Sequence, residues 1–165
     1  MKMEEEKVYQ NIKKYMEIIL EEMKKEDIDI MLRPETTGKQ SQFGTMEELI
    51  RLSKELDNVM PCIDFSHLYA RSLGKVNSYE DFKRILLDMK EELGMEALEN
   101  LHSHISGIEY GNTGERKYLT LEDSEFDYKG LLKALKDVGA KGIVICESPI
   151  IEYDAEKLKK YYEDI

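Results

Sequence analysis

Glu35, Asp64, His104 and Glu147 are the residues of this sequence best suited to chemistry, and each sits in or just beyond a short apolar segment. Glu35 follows Ile28–Leu32, Asp64 lies near the end of Val59–Phe65, His104 near the end of Glu99–Ile105, and Glu147 closes Gly142–Glu147. Three carboxylates and an imidazole make a hard, anionic ligand set suited to Zn²⁺, Mn²⁺ or Mg²⁺. Each ionised group would be costly to hold in a dry site without a cation. Taken singly, a carboxylate at a strand end is a helix cap or a solvated loop charge, and a lone histidine is packing. Taken together, one shared divalent ion accounts for all of them.

For that convergence the four segments must be parallel strands, because only then do their carboxyl ends open on one face. The surrounding pattern predicts this. From Glu4 to Lys25 the residues Val8, Ile12, Tyr15, Met16, Ile19, Leu20 and Met23 recur at helical spacing and define an opening helix with one buried stripe. Thr37 to Gly44 reads as a polar loop, and Thr45-Met46-Glu47-Glu48 as a capping box that starts a helix running to about Asp57. Ser78 starts the next helix, with Phe82, Ile85, Leu86 and Met89 on one side and an exit at Gly94. Further helices are expected over Asp127–Val138 and Asp154–Tyr162. Strands this apolar, alternating with helices, argue for parallel strands joined by crossovers.

The expected fold is therefore α/β: a partial, half TIM barrel, with one leading helix followed by four parallel βα units in a single domain over residues 1–165. A self-contained four-stranded α/β sandwich is the bland alternative. At 165 residues the chain is shorter than the roughly 250 residues of a complete barrel.

With Lys plus Arg at 24 against Asp plus Glu at 35, the formal charge is −11, the wrong sign for gripping nucleic acid by phosphate neutralisation alone. Any DNA contact would need metals or a basic partner. No apolar stretch approaches the roughly 20 residues of a membrane span, so no membrane partner is expected. Met1–Lys7 lacks the apolar core of an export signal, and a cytoplasmic location is expected. Cys62 and Cys146 form no C-x-x-C pair and read as buried thiols, Cys62 with the parity of Asp64 and Cys146 turned toward the helices. His102 and Arg33 share strand parity with His104 and Glu35. His102 reads as a supporting or core residue, and Arg33 as a partner of Glu35, of an anionic substrate, or of a buried salt bridge.

Four segments together resemble the last four strand ends of endonuclease IV proteins, within the xylose isomerase-like TIM barrels. They are Leu32-Arg33-Pro34-Glu35-Thr36-Thr37-Gly38-Lys39, Cys62-Ile63-Asp64-Phe65-Ser66-His67, His104-Ile105-Ser106-Gly107 with the later Gly114-Glu115-Arg116, and Ile145-Cys146-Glu147-Ser148-Pro149. The resemblance runs from about Asp27 to the carboxyl terminus. It implies that Glu35 bridges two metals, that Asp64, His104 and Glu147 complete the second metal site, and that His67 serves a third, with Zn²⁺ the first expectation. The family's third site also draws on an Asp-x-His, and this chain departs there: Glu115-Arg116-Lys117-Tyr118 offers a carboxylate and no imidazole. The family's histidines from the earlier half of the barrel have no counterpart in this sequence.

The implied activity is metal-assisted phosphodiester hydrolysis at abasic DNA, with Glu35 and Glu147 in the catalytic roles. The rival is a sugar isomerase or epimerase of the same superfamily, in which Glu35 and Glu147 act as acid and base on a small sugar substrate. A non-catalytic, metal-binding half barrel is the third reading. A half barrel leaves strand edges open, so either self-association or docking with a separate amino-terminal half-barrel is expected.

Overall fold

The computed structural model describes residues 4–165. The opening helix α1 (Glu5–Lys25) carries acidic residues in its first turn and lysines in its last, in keeping with its macrodipole. Its inner stripe is narrower than the spacing predicts. Tyr9 is buried, whereas Tyr15 and Ile19, assigned to the buried stripe, are 66% and 48% exposed. Helix α2 (Met46–Glu55) begins at the expected capping box, with both Thr45 and Glu48 hydrogen bonds formed.

Strand β1 (Cys62–Asp64) runs straight into a short helix, α3 (Phe65–Arg71), because the Asp64 side chain caps it by accepting from the His67 amide. The strand expected to reach Phe65 thus ends one residue earlier, and His67 stands on a helix. Helices α4 (Tyr79–Leu93) and α5 (Met95–Glu99) follow, hinged at Gly94, whose φ of 82° suits glycine. Glu99, expected in a strand, closes α5. Strand β2 (Leu101–Ile105) leads to an antiparallel hairpin, β3 (Gly107–Gly111) and β4 (Gly114–Leu119), in a stretch where no element is expected from the sequence. Helix α6 (Tyr128–Asp137), strand β5 (Gly142–Cys146) and helix α7 (Glu152–Asp164) complete the chain.

The sheet order is β1-β2-β5, all parallel, and the segment at Leu32 and Glu35 lies alongside β1 through parallel bridges to Val59 and Cys62. The first expected strand is reduced to these bridges. Ile28 and Ile30 are 47% and 58% exposed, and among the described residues no further strand pairs along that edge. Neighbours in the sheet succeed one another in the chain, as in a barrel that has been opened. The structure is half of a TIM barrel.

One face of the sheet is packed and the other is open. In β2 the helix-facing Leu101, Ser103 and Ile105 are buried, while His102 and His104 alternate with them and stay partly accessible. The packed face joins Ile63, Phe65, Phe82, Leu86, Leu98, Ile105, Leu131 and Leu158 in one core. Phe82 meets Phe65 and Phe126 edge-on, with ring centroids 5.8 and 5.7 Å away. A smaller core of Tyr9, Leu49, Leu52 and Val59 fixes α1 and α2 over the other edge.

Candidate metal centre

Hydroxyls lock the strand ends that present the site. Thr36 Oγ1, fully buried, accepts from the Asp64 amide at 2.9 Å and donates to the Asp64 carbonyl at 3.2 Å. Ser66 makes the same double contact with Ser106, accepting from its amide at 2.7 Å and donating to its carbonyl at 2.8 Å. Beyond β5 the Glu147 amide still pairs with the Ile105 carbonyl, so Glu147 extends the ladder into the open mouth.

These clamps bring Glu35, Asp64, His104 and Glu147 together: one ligand atom from each lies within 4.8 Å of the others. His104 Nδ1 lies 3.3 Å from Glu35 Oε1 and 3.5 Å from Glu147 Oε1. Asp64 is 0% exposed, and burial pushes its carboxyl up to about 6 despite the nearby His67. Its Oδ2 and His104 Nδ1 are both buried without a hydrogen-bond partner. Two unpartnered buried ligand atoms, of the types a divalent ion takes, facing the same carboxylates, are what a cation site requires. The donor set fits the metal.

His67 is placed differently. Its Nδ1 lies 2.8 Å from the Thr36 carbonyl, and its Nε2 lies 3.1 Å from the Tyr118 hydroxyl. Tyr118 donates its single proton to Glu147 Oε2 at 2.7 Å, so towards His67 it can only accept. Both His67 nitrogens therefore act as donors, which requires the imidazolium. Burial opposes that charge, but Glu35, Asp64 and Glu115 outweigh it and raise the ring to about 9. An imidazolium has no lone pair for a metal. In this arrangement the ring serves as a positive strut, and its hydrogen bond helps hold the Glu35 carboxyl below the usual range against burial.

Tyr118 is the residue that the spacing did not single out. It stacks on His67 with centroids 5.9 Å apart at 18°, and burial followed by Glu147 raises its phenol. The hairpin that delivers it was signalled by Gly111-Asn112-Thr113-Gly114, a two-residue turn between glycines. Glu115, on the same strand, approaches His67 Nε2 at 3.6 Å and lies against Gly38, where an added Cβ would come within 2.6 Å of its side chain.

Arg33 makes no ion pair among the described residues. Its guanidinium donates to the Asn100 carbonyl at 2.9 Å and more weakly to that of Pro61, so it braces two loops and pairs neither with Glu35 nor in a buried salt bridge, two of the three roles expected for it. His102 lies beneath His104 with ring centroids 5.4 Å apart. Cys146 packs toward the main core, and Cys62 is buried on the open face.

A family model described as xylose isomerase-like TIM barrel matches residues 2–164. The chain belongs to the xylose isomerase-like TIM barrel family. An uncharacterized protein of Methanocaldococcus jannaschii, MJ0133, is 50% identical over the whole chain, which spans 60% of that relative's length. Among solved structures, a xylose isomerase domain protein from Alicyclobacillus acidocaldarius subsp. acidocaldarius matches with a TM-score of 0.61 at 13% identity, over 99% of this chain and 62% of that one. A D-tagatose 3-epimerase-like protein gives 0.56 at 21%, over 95% and 54%. A structure described as AsfvAP:AG gives 0.57 at 16%, over 90% and 56%. At these identities the structures show the xylose isomerase-like fold. The chain spans about three fifths or less of the length of each of them. Among the described residues no helix is long and apolar enough to cross a membrane.

Proposed function

We propose that this chain carries the metal centre of an endonuclease IV-like phosphodiester hydrolase acting at abasic DNA, with Glu35, Asp64, His104 and Glu147 as ligands. The observation that carries this reading is the joining of two of the segments that resemble that family. The loop after Glu35 and the hairpin bearing Glu115 form one wall beside the carboxylates, through the Glu115 amide on the Gly38 carbonyl and a bridge between Lys39 and Gly114.

A divalent ion held by this set, Zn²⁺ first and Mn²⁺ or Mg²⁺ next, supplies a Lewis acid and a water of lowered pKa. The protein's own contribution is orientation and proton control. Glu35, flanked by His67 at 3.2 Å and His104 at 3.3 Å, stays ionised and fixed. Asp64 anchors the set from a fully buried position. Glu147 is aimed by the Tyr118 hydroxyl and is, in this reading, the carboxylate that exchanges a proton with a leaving group.

A second reading, a metal-dependent sugar isomerase or epimerase, is favoured by one observation: with His67 engaged on Thr36 and Tyr118, the carboxylate set is Glu35, Asp64, His104 and Glu147, enough for one ion. There Glu35 and Glu147 would act as base and acid on carbon beside a carbonyl. Incubating the protein with Mn²⁺ or Zn²⁺ and either an abasic-site duplex or a panel of ketoses separates the two. Strand cleavage lost in Asp64→Asn supports the hydrolase, and sugar turnover lost in the same variant supports the isomerase. Metal binding without either activity favours a non-catalytic half barrel.

Both readings include a covering partner, a second copy or a separate amino-terminal half. Ile28 and Ile30 at one edge of the sheet and Ile143 and Ile145 at the other are all at least 40% exposed.

A further inference from the structure

Beneath the carboxylate cluster, the same open face carries a second ligand set. Cys62 and His102 are directly paired neighbours on β1 and β2, and Asp64 and His104 are the pair two residues further along. Because side chains two apart on a strand share a face, Cys62, His102 and His104 project to one side. One ligand atom from each lies within 4.8 Å of the others. We propose that Cys62, His102 and His104 form a second metal site, of sulfur and nitrogen ligands, that takes a borderline cation of the Zn²⁺ or Co²⁺ type.

The chemistry of the set decides the ion. A thiolate with two imidazoles suits Zn²⁺ in a tetrahedral site that keeps one position open, and disfavours Mg²⁺ or Mn²⁺, which prefer the oxygen-rich cluster above. An ordinary core cysteine is surrounded by apolar groups. Cys62 is instead 2% exposed on a face whose neighbours are imidazoles and the bridged Glu35. Arg33 is the nearby cation, and its guanidinium is already held on backbone carbonyls. On binding, the Cys62 thiol gives its proton to solvent and the resulting thiolate offsets the charge of the ion. His104 belongs to both sets.

Co²⁺ titration of the purified chain tests this site separately from the carboxylate cluster, because only thiolate ligation gives an intense near-ultraviolet sulfur-to-cobalt charge-transfer band. The band is expected to reach a plateau intensity of one thiolate-bound Co²⁺ per native chain, and to persist in Cys146→Ser, Asp64→Asn and Glu147→Gln. It is expected to vanish in Cys62→Ser and to need more than about tenfold higher Co²⁺ in His102→Ala, with circular dichroism confirming that each variant is folded. No band in the native chain at saturating Co²⁺ would overturn the site, as would a band that survives Cys62→Ser or disappears in Cys146→Ser. The native and Cys146→Ser measurements decide the matter even if Cys62→Ser fails to fold.

Discussion

The Tyr118 ring lies flat on His67 while its hydroxyl donates to Glu147 at 2.7 Å, so one side chain from the hairpin ties an imidazolium to a candidate metal ligand. Tyr118→Phe keeps the stacking and removes both hydrogen bonds. Glu147 then loses its donor and His67 Nε2 its acceptor. A loss of about 1–3 kcal/mol is expected in urea unfolding, and a change below about 0.5 kcal/mol would show that the network carries no weight.

The position of Tyr118 is also where an imidazole would complete a further ligand set with His67 and Glu115, which already approach within 3.6 Å. Replacing the phenol frees His67 Nε2 from the hydroxyl, and a bound cation would compete with the proton that Glu35, Asp64 and Glu115 favour on the ring. Tyr118→His is expected to raise bound Zn²⁺ by one ion per chain in plasma mass spectrometry after dialysis. An unchanged stoichiometry would mean that His67 stays an imidazolium for other reasons.

Asp64 holds a buried carboxylate whose pKa is raised to about 6, mainly by desolvation. At neutral pH, without metal, that charge opposes folding. Asp64→Asn can still accept the His67 amide at the helix cap, so it is expected to stabilise the metal-free protein by roughly 1–3 kcal/mol. The same variant should lose the rise in melting temperature that Zn²⁺ gives the native chain. A destabilised variant that still responds to Zn²⁺ would remove Asp64 from the site.

Thr36 sets the level of Glu35 against β1 through its paired contacts with Asp64. Thr36→Val preserves shape but strands the Asp64 amide, at a cost of about 1–3 kcal/mol. Metal affinity should fall with it, because Glu35 and Asp64 lose their common register. Unaltered affinity in calorimetric titration would show that the strand bridges alone suffice.

Helix α1 is tied to α2 through two ion pairs, Arg51 with Glu6 at 2.8 Å and Lys13 with Glu55 at 2.9 Å. Hydrogen bonds from Arg51 to Glu6, and from Lys13 and Arg51 to Glu55, lower both carboxyls to about 2. A depressed carboxyl stabilises fully above its ordinary value near 4.5 and loses that contribution as pH falls toward 2. Amide exchange in α1 should therefore quicken, relative to the main core, between pH 4.5 and 2. The Arg51 guanidinium also lies 3.8 Å over the Tyr9 ring, and Arg51→Met should remove the Glu6 part of this pH dependence while leaving the part that Lys13 gives Glu55. Equal protection of α1 across that range would contradict the assignment.

Much of this was legible in the residues. Thr45 with Glu48, Ser78 and Asp127 marked helix starts that the structure caps with those same side chains. The apolar runs ending near Asp64, His104 and Glu147 marked the parallel strands. What escaped has identifiable physical causes. Ile28–Leu32 has the composition of a strand but lacks a neighbour on its outer side, so only Leu32 and Glu35 keep bridges. Phe65 and Ser66 look like a continuing strand until Asp64 turns to cap α3. The hairpin at Gly107–Leu119 was masked by its charged second strand, and with it the arrival of Tyr118. Tyr15 and Ile19 fit the helical period of α1, yet no element of the opened barrel lies against them.

The central claim is that Glu35, Asp64, His104 and Glu147 hold one divalent ion between them. Titration of the Cys62→Ser chain with Mn²⁺, followed by electron paramagnetic resonance, tests it with the sulfur set disabled and a cation that prefers oxygen. One tight Mn²⁺ per chain is expected, lost in Glu35→Gln, Asp64→Asn and His104→Ala and weakened in Glu147→Gln. Mn²⁺ binding that is absent in the parent chain, or unchanged across these variants, would contradict the account.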